Sequence, residues 1–246
     1  MKPLWRNVLV GVVAYLLFLV TTAPAAKILS FVQPQGVRYS GVDGTLWSGS
    51  AALVAVSPVQ LTETRWSFRP FSLFAGQLGF AVEGQLQGQR IEAYVGSSFL
   101  GTPLVSDVRG RVDANAMLNL LGLNQLQLAG KLDFDIANVE WPESGYPALG
   151  GTVLWSPARV TGPLELELGK ARLETRIEDG VTRGKLQTEG GSLLLQADVE
   201  MNSSGAYRLD ANLQQKGDVP QAVTKFLSTF AEYKNGTYRL EWSDSL

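Results

Sequence analysis

The sequence predicts a mainly β protein: a single N-terminal transmembrane helix, then an elongated, curved antiparallel β-sheet body with two short helices. Three observations carry this. An apolar run near the start is flanked by basic residues. The rest of the chain alternates apolar and polar side chains with a period of two. Glycine-rich and Asx-rich turns separate the alternating segments.

The apolar run extends from Val8 to Ala26, preceded by Lys2 and Arg6 and closed by Lys27. About 20 residues, rising about 1.5 Å each, cross a bilayer core. Positive charge ahead of such a run keeps the N-terminus in the cytoplasm and sends the remainder across. The anchoring side chains are then Val8, Leu9, Val10, Val12, Val13, Leu16, Leu17, Phe18, Leu19 and Val20. A cleavable secretory signal has the same grammar. In that reading Val8–Val20 is its apolar core and Ala23-Pro24-Ala25 its cleavage site. Both readings export the body and differ only in the tether. The domain plan is residues 1–30 as tail and anchor and 31–246 as the exported β-rich domain.

Within the body, Leu126, Leu128, Leu132, Phe134 and Ile136 alternate with Gln127, Lys131, Asp133 and Asp135. The same pattern runs through Leu164, Leu166 and Leu168, through Leu193 to Met201, and through Tyr207 to Leu213. Period-two patterning makes strands with one buried and one wet face, the signature of antiparallel pairing. Earlier strands are predicted at 46–56, 60–68, 77–86 and 90–94. Turns fall at Glu178-Asp179-Gly180, Glu189-Gly190-Gly191 and Asn202-Ser203-Ser204-Gly205, as in a meander of short hairpins.

Two stretches read as helices. Asp113 can cap one over 114–121, stopped by Gly122. Asp218 can cap a second with Pro220 in its first turn; Val223, Phe226, Leu227 and Phe230 then share a face. Asn235-Gly236 ends that element, and a last strand alternates Tyr238, Leu240 and Trp242 with polar neighbours. Each helix follows a run of strands, which suggests similar halves at 31–122 and 123–246. The segment Asp43-Gly44-Thr45-Leu46-Trp47-Ser48-Gly49 weakly echoes Gly150-Gly151-Thr152-Val153-Leu154-Trp155-Ser156. Ordinary turn–strand junctions would give the same echo. Trp47, Trp66, Trp141, Trp155 and Trp242 read as rings that anchor a core or an interface, although a carbohydrate groove would also display such rings.

Composition removes several kinds of chemistry. The chain has no cysteine and no histidine. Disulfides, thiolate nucleophiles, imidazole bases and histidine-bound metals are therefore unavailable. A formal net charge of −2 offers no footprint for nucleic acid. Asp133 and Asp135 lie on one strand face, the usual place for solvated carboxylates.

Taken in order, these segments resemble one family. They are the basic tail and span, Gly44-Thr45-Leu46-Trp47-Ser48-Gly49, Trp66-Ser67-Phe68-Arg69-Pro70, Leu128-Ala129-Gly130-Lys131-Leu132, Gly151-Thr152-Val153-Leu154-Trp155, Gly205-Ala206-Tyr207-Arg208-Leu209 and Asn235-Gly236-Thr237-Tyr238-Arg239-Leu240. The chain resembles type II secretion system protein N, a bitopic inner-membrane component of Gram-negative secretion machinery, over nearly its whole length. Pro157 after Trp155-Ser156 departs from the glycine of the first motif, which weakens the repeat. The resemblance implies an uncleaved anchor, a cytoplasmic N-terminus and a periplasmic body. It also implies motif residues Gly44, Leu46, Trp47, Gly49, Gly151 and Trp155 with a structural role. The expectation is a non-enzymatic scaffold with no catalytic, cofactor or metal site. Its partners would be other secretion components of the inner membrane and periplasm, and the bilayer itself. The alternative is a membrane-anchored carrier of lipid or another hydrophobe in an apolar β-groove.

Overall fold

A computed structural model describes residues 2–32, 36–57, 59–120, 127–142, 144–162 and 165–245. Helices α1 (Lys2–Thr21) and α2 (Ala25–Val32) come first. Two short strands, β1 (Val37–Ser40) and β2 (Asp43–Gly44), lead into β3 (Ser48–Val56) and β4 (Val59–Phe68). A 3-10 turn at Pro70–Ala75 precedes β5 (Gln77–Leu86), β6 (Gln89–Ser98) and β7 (Pro103–Asp113). Helix α3 (Ala114–Leu120) then leads to β8 (Gln127–Glu140), β9 (Ala148–Thr161) and β10 (Leu166–Glu178). The chain continues through β11 (Val181–Gly190), β12 (Leu193–Met201) and β13 (Ala206–Gln215). It ends in α4 (Gln221–Phe230), β14 (Glu232–Lys234) and β15 (Thr237–Ser245).

All the strands belong to one 15-stranded sheet in the order β1-β3-β4-β5-β6-β7-β8-β9-β10-β11-β12-β13-β15-β14, with β2 beside β3. Pairing is antiparallel throughout, as the alternation predicts. The hairpins use the expected turn chemistry. Asp179-Gly180 and Asn235-Gly236 both have positive φ, which two-residue hairpin turns require. The ladder runs without a break through β7 and β8.

Register assembles the two faces. Val112 lies opposite Leu132, Leu132 opposite Trp155, and Trp155 opposite Ala171. A second apolar row runs Phe134, Val153, Leu173, Leu186, Ala197, Ala211 and Leu240. The other face is charged: Arg109 pairs with Asp135 at 3.0 Å, Arg172 with Glu174 at 2.7 Å, and Arg111 with Asp133. Asp133 and Asp135 therefore occupy the solvated side.

The sheet curls around its apolar face. Tyr146 N, between β8 and β9, donates to Ser203 O, between β12 and β13, at 2.8 Å. Flat strands about 4.8 Å apart would hold these turns about 19 Å apart. Inside the curl, Leu166, Leu193, Ala197, Ala211 and Leu213 form a buried cluster with Val223 and Leu227 of α4. No large side chain among the described residues is completely buried, so much of the apolar face is only half covered.

Meander connections alternate between two rims. One rim, here the distal rim, carries α3 and α4 together with the polar turns Gln87-Gly88 and Gly191-Ser192. The other, the proximal rim, carries the α2–β3 connection, the Pro70–Ala75 turn, the β6–β7 turn and the loop after β8.

Several expectations need correction. Asp218 does not cap α4; Pro220 occupies the N-cap, no side chain caps the helix, and Val223 N and Thr224 N donate to Pro220 O. Val223 and Leu227 are buried, but Phe226 and Phe230 are stacked and about half exposed. Asn235-Gly236 does not end the helix; it turns between β14 and β15. Asp113 closes β7, and α3 runs to Leu120; Gly122, with the half boundary placed there, lies outside the described residues, as do Leu126 and Leu164. Trp47, Trp66 and Trp155 are partly buried, whereas Trp141 and Trp242 are more than 40 % exposed. The echoing motifs occupy different settings: Gly44–Gly49 is a turn, and Gly150–Ser156 lies inside β9. Among the described residues no helix is long and apolar enough to cross a membrane. The side chains of Leu4, Arg6 and Leu17 on α1 fall outside those residues.

Candidate functional site at the junction of helix and sheet

The sequence motif around Trp47 builds a joint between α1 and the sheet. Gly44 has φ +88°, a conformation that side chains with a Cβ rarely adopt. A Cβ there would lie 2.7 Å from Gly49 Cα and 2.7 Å from Ser48 O. A Cβ on Gly49 would lie 2.5 Å from both Asp43 O and the Trp66 ring. Both glycines are thus fixed by the close approach of backbone and ring.

Between them the chain makes a tight turn. Thr45 N donates to Ser48 O at 2.9 Å, and Ser48 N donates to Thr45 Oγ1 at 3.1 Å. The Trp66 indole N–H reaches across from β4 and is shared by Leu46 O at 3.1 Å and Thr45 O at 3.3 Å. Phe68 N donates to Trp47 O at 2.7 Å, and the two rings meet edge to face with centroids 4.9 Å apart. Phe80 continues the ring stack from Phe68 at 5.5 Å. The Gly44–Gly49 and Trp66–Pro70 motifs, separate in sequence, form one structure.

That structure grips the end of the first helix. The last carbonyls of a helix have no partner within it. Trp47 Nε1 donates to Val20 O at 2.6 Å, and Leu46 N donates to Ala23 O at 2.9 Å. Pro24 and Thr45 form an isolated antiparallel bridge. Thr22 seals the same end from within, its Oγ1 donating to Phe18 O at 2.6 Å. Ala25, which opens α2, is buried. Sequence reading finds Gly44, Leu46, Trp47 and Gly49 and assigns them to a tight turn with a packed ring. It misses the acceptors Val20 O and Ala23 O, because backbone carbonyls carry no sequence signature. A turn that spends two tryptophan N–H groups on backbone carbonyls was the available clue.

The other two motif residues lie elsewhere. Gly151 and Trp155 belong to β9; the Trp155 indole donates to Ala129 O at 2.8 Å across the β8–β9 ladder. A Cβ on Gly151 would meet Asp135 O and Ile136 Cα of β8, so this glycine permits close strand approach. On α1, Val8, Leu9, Val10, Val12, Val13, Leu16, Phe18, Leu19 and Val20 are all exposed. Among the described residues no part of the chain covers these side chains. The Leu17 side chain lies outside the described residues.

Titration adds little at any of these places. Arg111, on the charged face, is pushed above its ordinary value by its hydrogen bond to Asp133 and then by that carboxylate's charge. Among the described residues no cluster of acidic side chains could hold a metal ion.

Comparison with known proteins points to one family. The family described as type II secretion system (T2SS), protein N matches residues 35–241. A type II secretion system protein N from Pectobacterium carotovorum subsp. carotovorum is 29 % identical over 231 residues, covering 89 % of this chain and 87 % of that protein. The protein of the same name from Vibrio cholerae serotype O1 is 26 % identical, covering 79 % of each chain. That of Aeromonas hydrophila is 28 % identical, covering 87 % of each. No solved structure matches the chain. With nearly the whole sheet inside the matched region, the chain belongs to the type II secretion system protein N family.

Proposed function

We propose that this protein is a single-pass subunit of the inner membrane, with residues 1–30 as tail and anchor and residues 31–246 as a periplasmic β-scaffold. It acts without chemistry of its own, by holding other inner-membrane and periplasmic secretion components close together. The observation that carries this reading is the joint: Trp47 binds the Val20 carbonyl in the last turn of α1, and Leu46 binds the Ala23 carbonyl just beyond it. Helix α1 has 20 residues and at about 1.5 Å per residue is about 30 Å long, the thickness of a bilayer core. Its described residues do not by themselves meet the length and apolarity of a spanning helix. Its apolar side chains face outward on all sides. A cleaved leader would gain nothing from being hydrogen-bonded to the mature body. Tethering raises the effective concentration of the scaffold beside membrane partners without demanding high affinity.

Complementation of a strain lacking this chain tests the proposal. The body exported on a foreign cleavable signal should support secretion poorly, and an unrelated single span of the same orientation should restore it. Full activity of the untethered body would overturn the reading, as would a mature N-terminus at Ala26 or Lys27. Crosslinking in intact envelopes then identifies the partners.

The hydrophobe carrier is supported by a different observation. Helices α3 and α4 both lie at the distal rim, and the apolar rows between β4 and β9 are only half buried. Lipid released on denaturing the purified full chain would favour the carrier, and its absence would leave the scaffold as the sole reading.

A further inference from the structure

The two rims of the curled sheet differ in their turn chemistry. Three distal turns are polar, as turns in water should be: Gln87-Gly88, Gly191-Ser192 and the Gln215–Asp218 segment; the apolar side chains exposed at that rim, Val56, Val59, Phe226 and Phe230, are 38–55 % exposed. Close to α1, the proximal rim is the opposite. Phe71 and Phe74 of the 3-10 turn are 81 % and 89 % exposed, and Phe99 and Leu100 of the β6–β7 turn are 63 % and 95 % exposed. Phe31 on α2 is 92 % exposed. These tips are held firmly. Phe99 N donates to Gly76 O at 2.9 Å, which locks the β6–β7 turn to the end of the 3-10 turn. Ser72 is buried and its Oγ accepts from Gly79 N at 3.0 Å, fixing the 3-10 turn to β5. Rigid turns with their largest apolar side chains aimed outward are a standing cost in water.

Position identifies what covers them. The joint at Trp47 brings the C-terminal end of α1 to this rim. With strands about 4.8 Å apart, the β6–β7 turn is about 17 Å from β3, within one protein radius of the emerging helix. Farther from α1 the rim turns polar again, with Asp179-Gly180 and Asn202–Gly205. Lys27 and Arg69 lie among the apolar tips, where anionic headgroups would meet them. The joined turns present their rings at the protruding tips of the rim, beside the emerging helix, which suits the fluid boundary of headgroup and acyl chain.

We infer that the Phe71–Phe74 and Phe99–Leu100 turns dip into the outer leaflet of the membrane that holds α1. This inference rests on the anchor reading above. The body then meets the bilayer at a second place and stands tilted, its β3–β7 side down and its β10–β13 side raised. The apolar face opens at the lowered side.

The native absence of cysteine permits a direct test on the full chain. Single variants Phe74→Cys, Leu100→Cys, Leu16→Cys and Lys216→Cys are labelled with an environment-sensitive fluorophore. They are then reconstituted in vesicles of phosphatidylethanolamine and phosphatidylglycerol. Lipids with a spin label near the headgroup should quench the labels at 74 and 100 at least about threefold more than the label at 216 on the distal rim, consistent with insertion of about 5–10 Å. Quenching at 16 alone, by deeply labelled lipid, would overturn the rim contact and leave the anchor standing. No quenching at 16 would overturn the anchor. Equal quenching at 74, 100 and 216 would mean that the body lies flat, which also overturns the inference. Shielding of 74 and 100 from aqueous iodide without lipid quenching would assign the tips to a second copy of the chain instead.

Discussion

At the scale of single residues, the joint makes sharp demands. Gly44→Ala places a Cβ at φ +88° against Gly49 and Ser48 O. It should cost about 1–3 kcal/mol, read as a lower unfolding midpoint of the full chain in detergent. Trp47→Phe is a subtler change. The ring and its contact with Phe68 survive, while the N–H to Val20 O is lost. Global stability should fall by only about 1 kcal/mol. The angle between α1 and the sheet should become looser, seen as a broader distance distribution between spin labels at Leu16→Cys and Gln60→Cys. An unchanged distribution would show that the indole bond does not set that angle. The strand register gives a further contrast. Leu132 lies between Val112 and Trp155 on the apolar face, so Leu132→Asp should unfold the body. Asp133→Leu removes one exposed ion pair with Arg111, worth about 0–1 kcal/mol, and should melt close to the parent chain.

At the scale of elements, α4 carries the best-defined core of the molecule. Leu227→Ala opens a cavity against Leu166, Leu193 and Leu213 and should cost about 2–5 kcal/mol in chemical denaturation. Phe226→Ala, on the half-exposed side, should lose only its contact with Phe230, about 1 kcal/mol. Equal losses would mean that the helix is rotated from the face described. Elements also show what the sequence makes legible. The strands at 77–86 and 193–201 emerge with their ends intact because nothing interrupts their alternation. Strand β7 escapes sequence reading for a physical reason. Asp107 adopts φ +51° where the register to β6 shifts, and this bulge moves Val105 and Val108 out of phase. Strand β14 is missed because three exposed residues carry no pattern. The residues of the joint are legible as a motif, whereas their acceptors at Val20 and Ala23 are not, since a carbonyl belongs to every residue. The apolar tips stand in plain sight at Phe71–Phe74 and Phe99-Leu100. Their meaning depends on knowing which rim each hairpin reaches.

At the scale of the whole molecule, stability is uneven. The buried cluster links β10, β12, β13 and α4. Amide hydrogen exchange should therefore be slowest in β10–β13 and faster in β3–β6; the reverse order would contradict a core centred under α4. Composition adds a second global property. With no histidine and no cysteine, no side chain with an ordinary pKa titrates between about pH 5.5 and 8. Because the pKa of Arg111 is raised, its contribution is fully present below the ordinary unfolded value and is lost as the pH climbs from there through the raised one, far into the alkaline range. The melting temperature should be flat across neutral pH. A slope there would require a strongly displaced carboxylate or amine.

The strand order itself bears on how such a body is made. From β3 to β12 every strand pairs with the one synthesised just before it and the one just after. A polypeptide threaded through a membrane from its N-terminal side delivers its strands in that same sequence. Each arriving hairpin finds a finished edge already waiting, so no long loop has to close before pairing begins. The growing edge is also a surface on which a stray chain could add. Only after β13 does the order break: β15 takes the next place, and the chain has by then turned back to lay the three-residue β14 along part of its outer side. A sheet in this order can close like a zip from its N-terminal end, and its last stitch shortens the open hem.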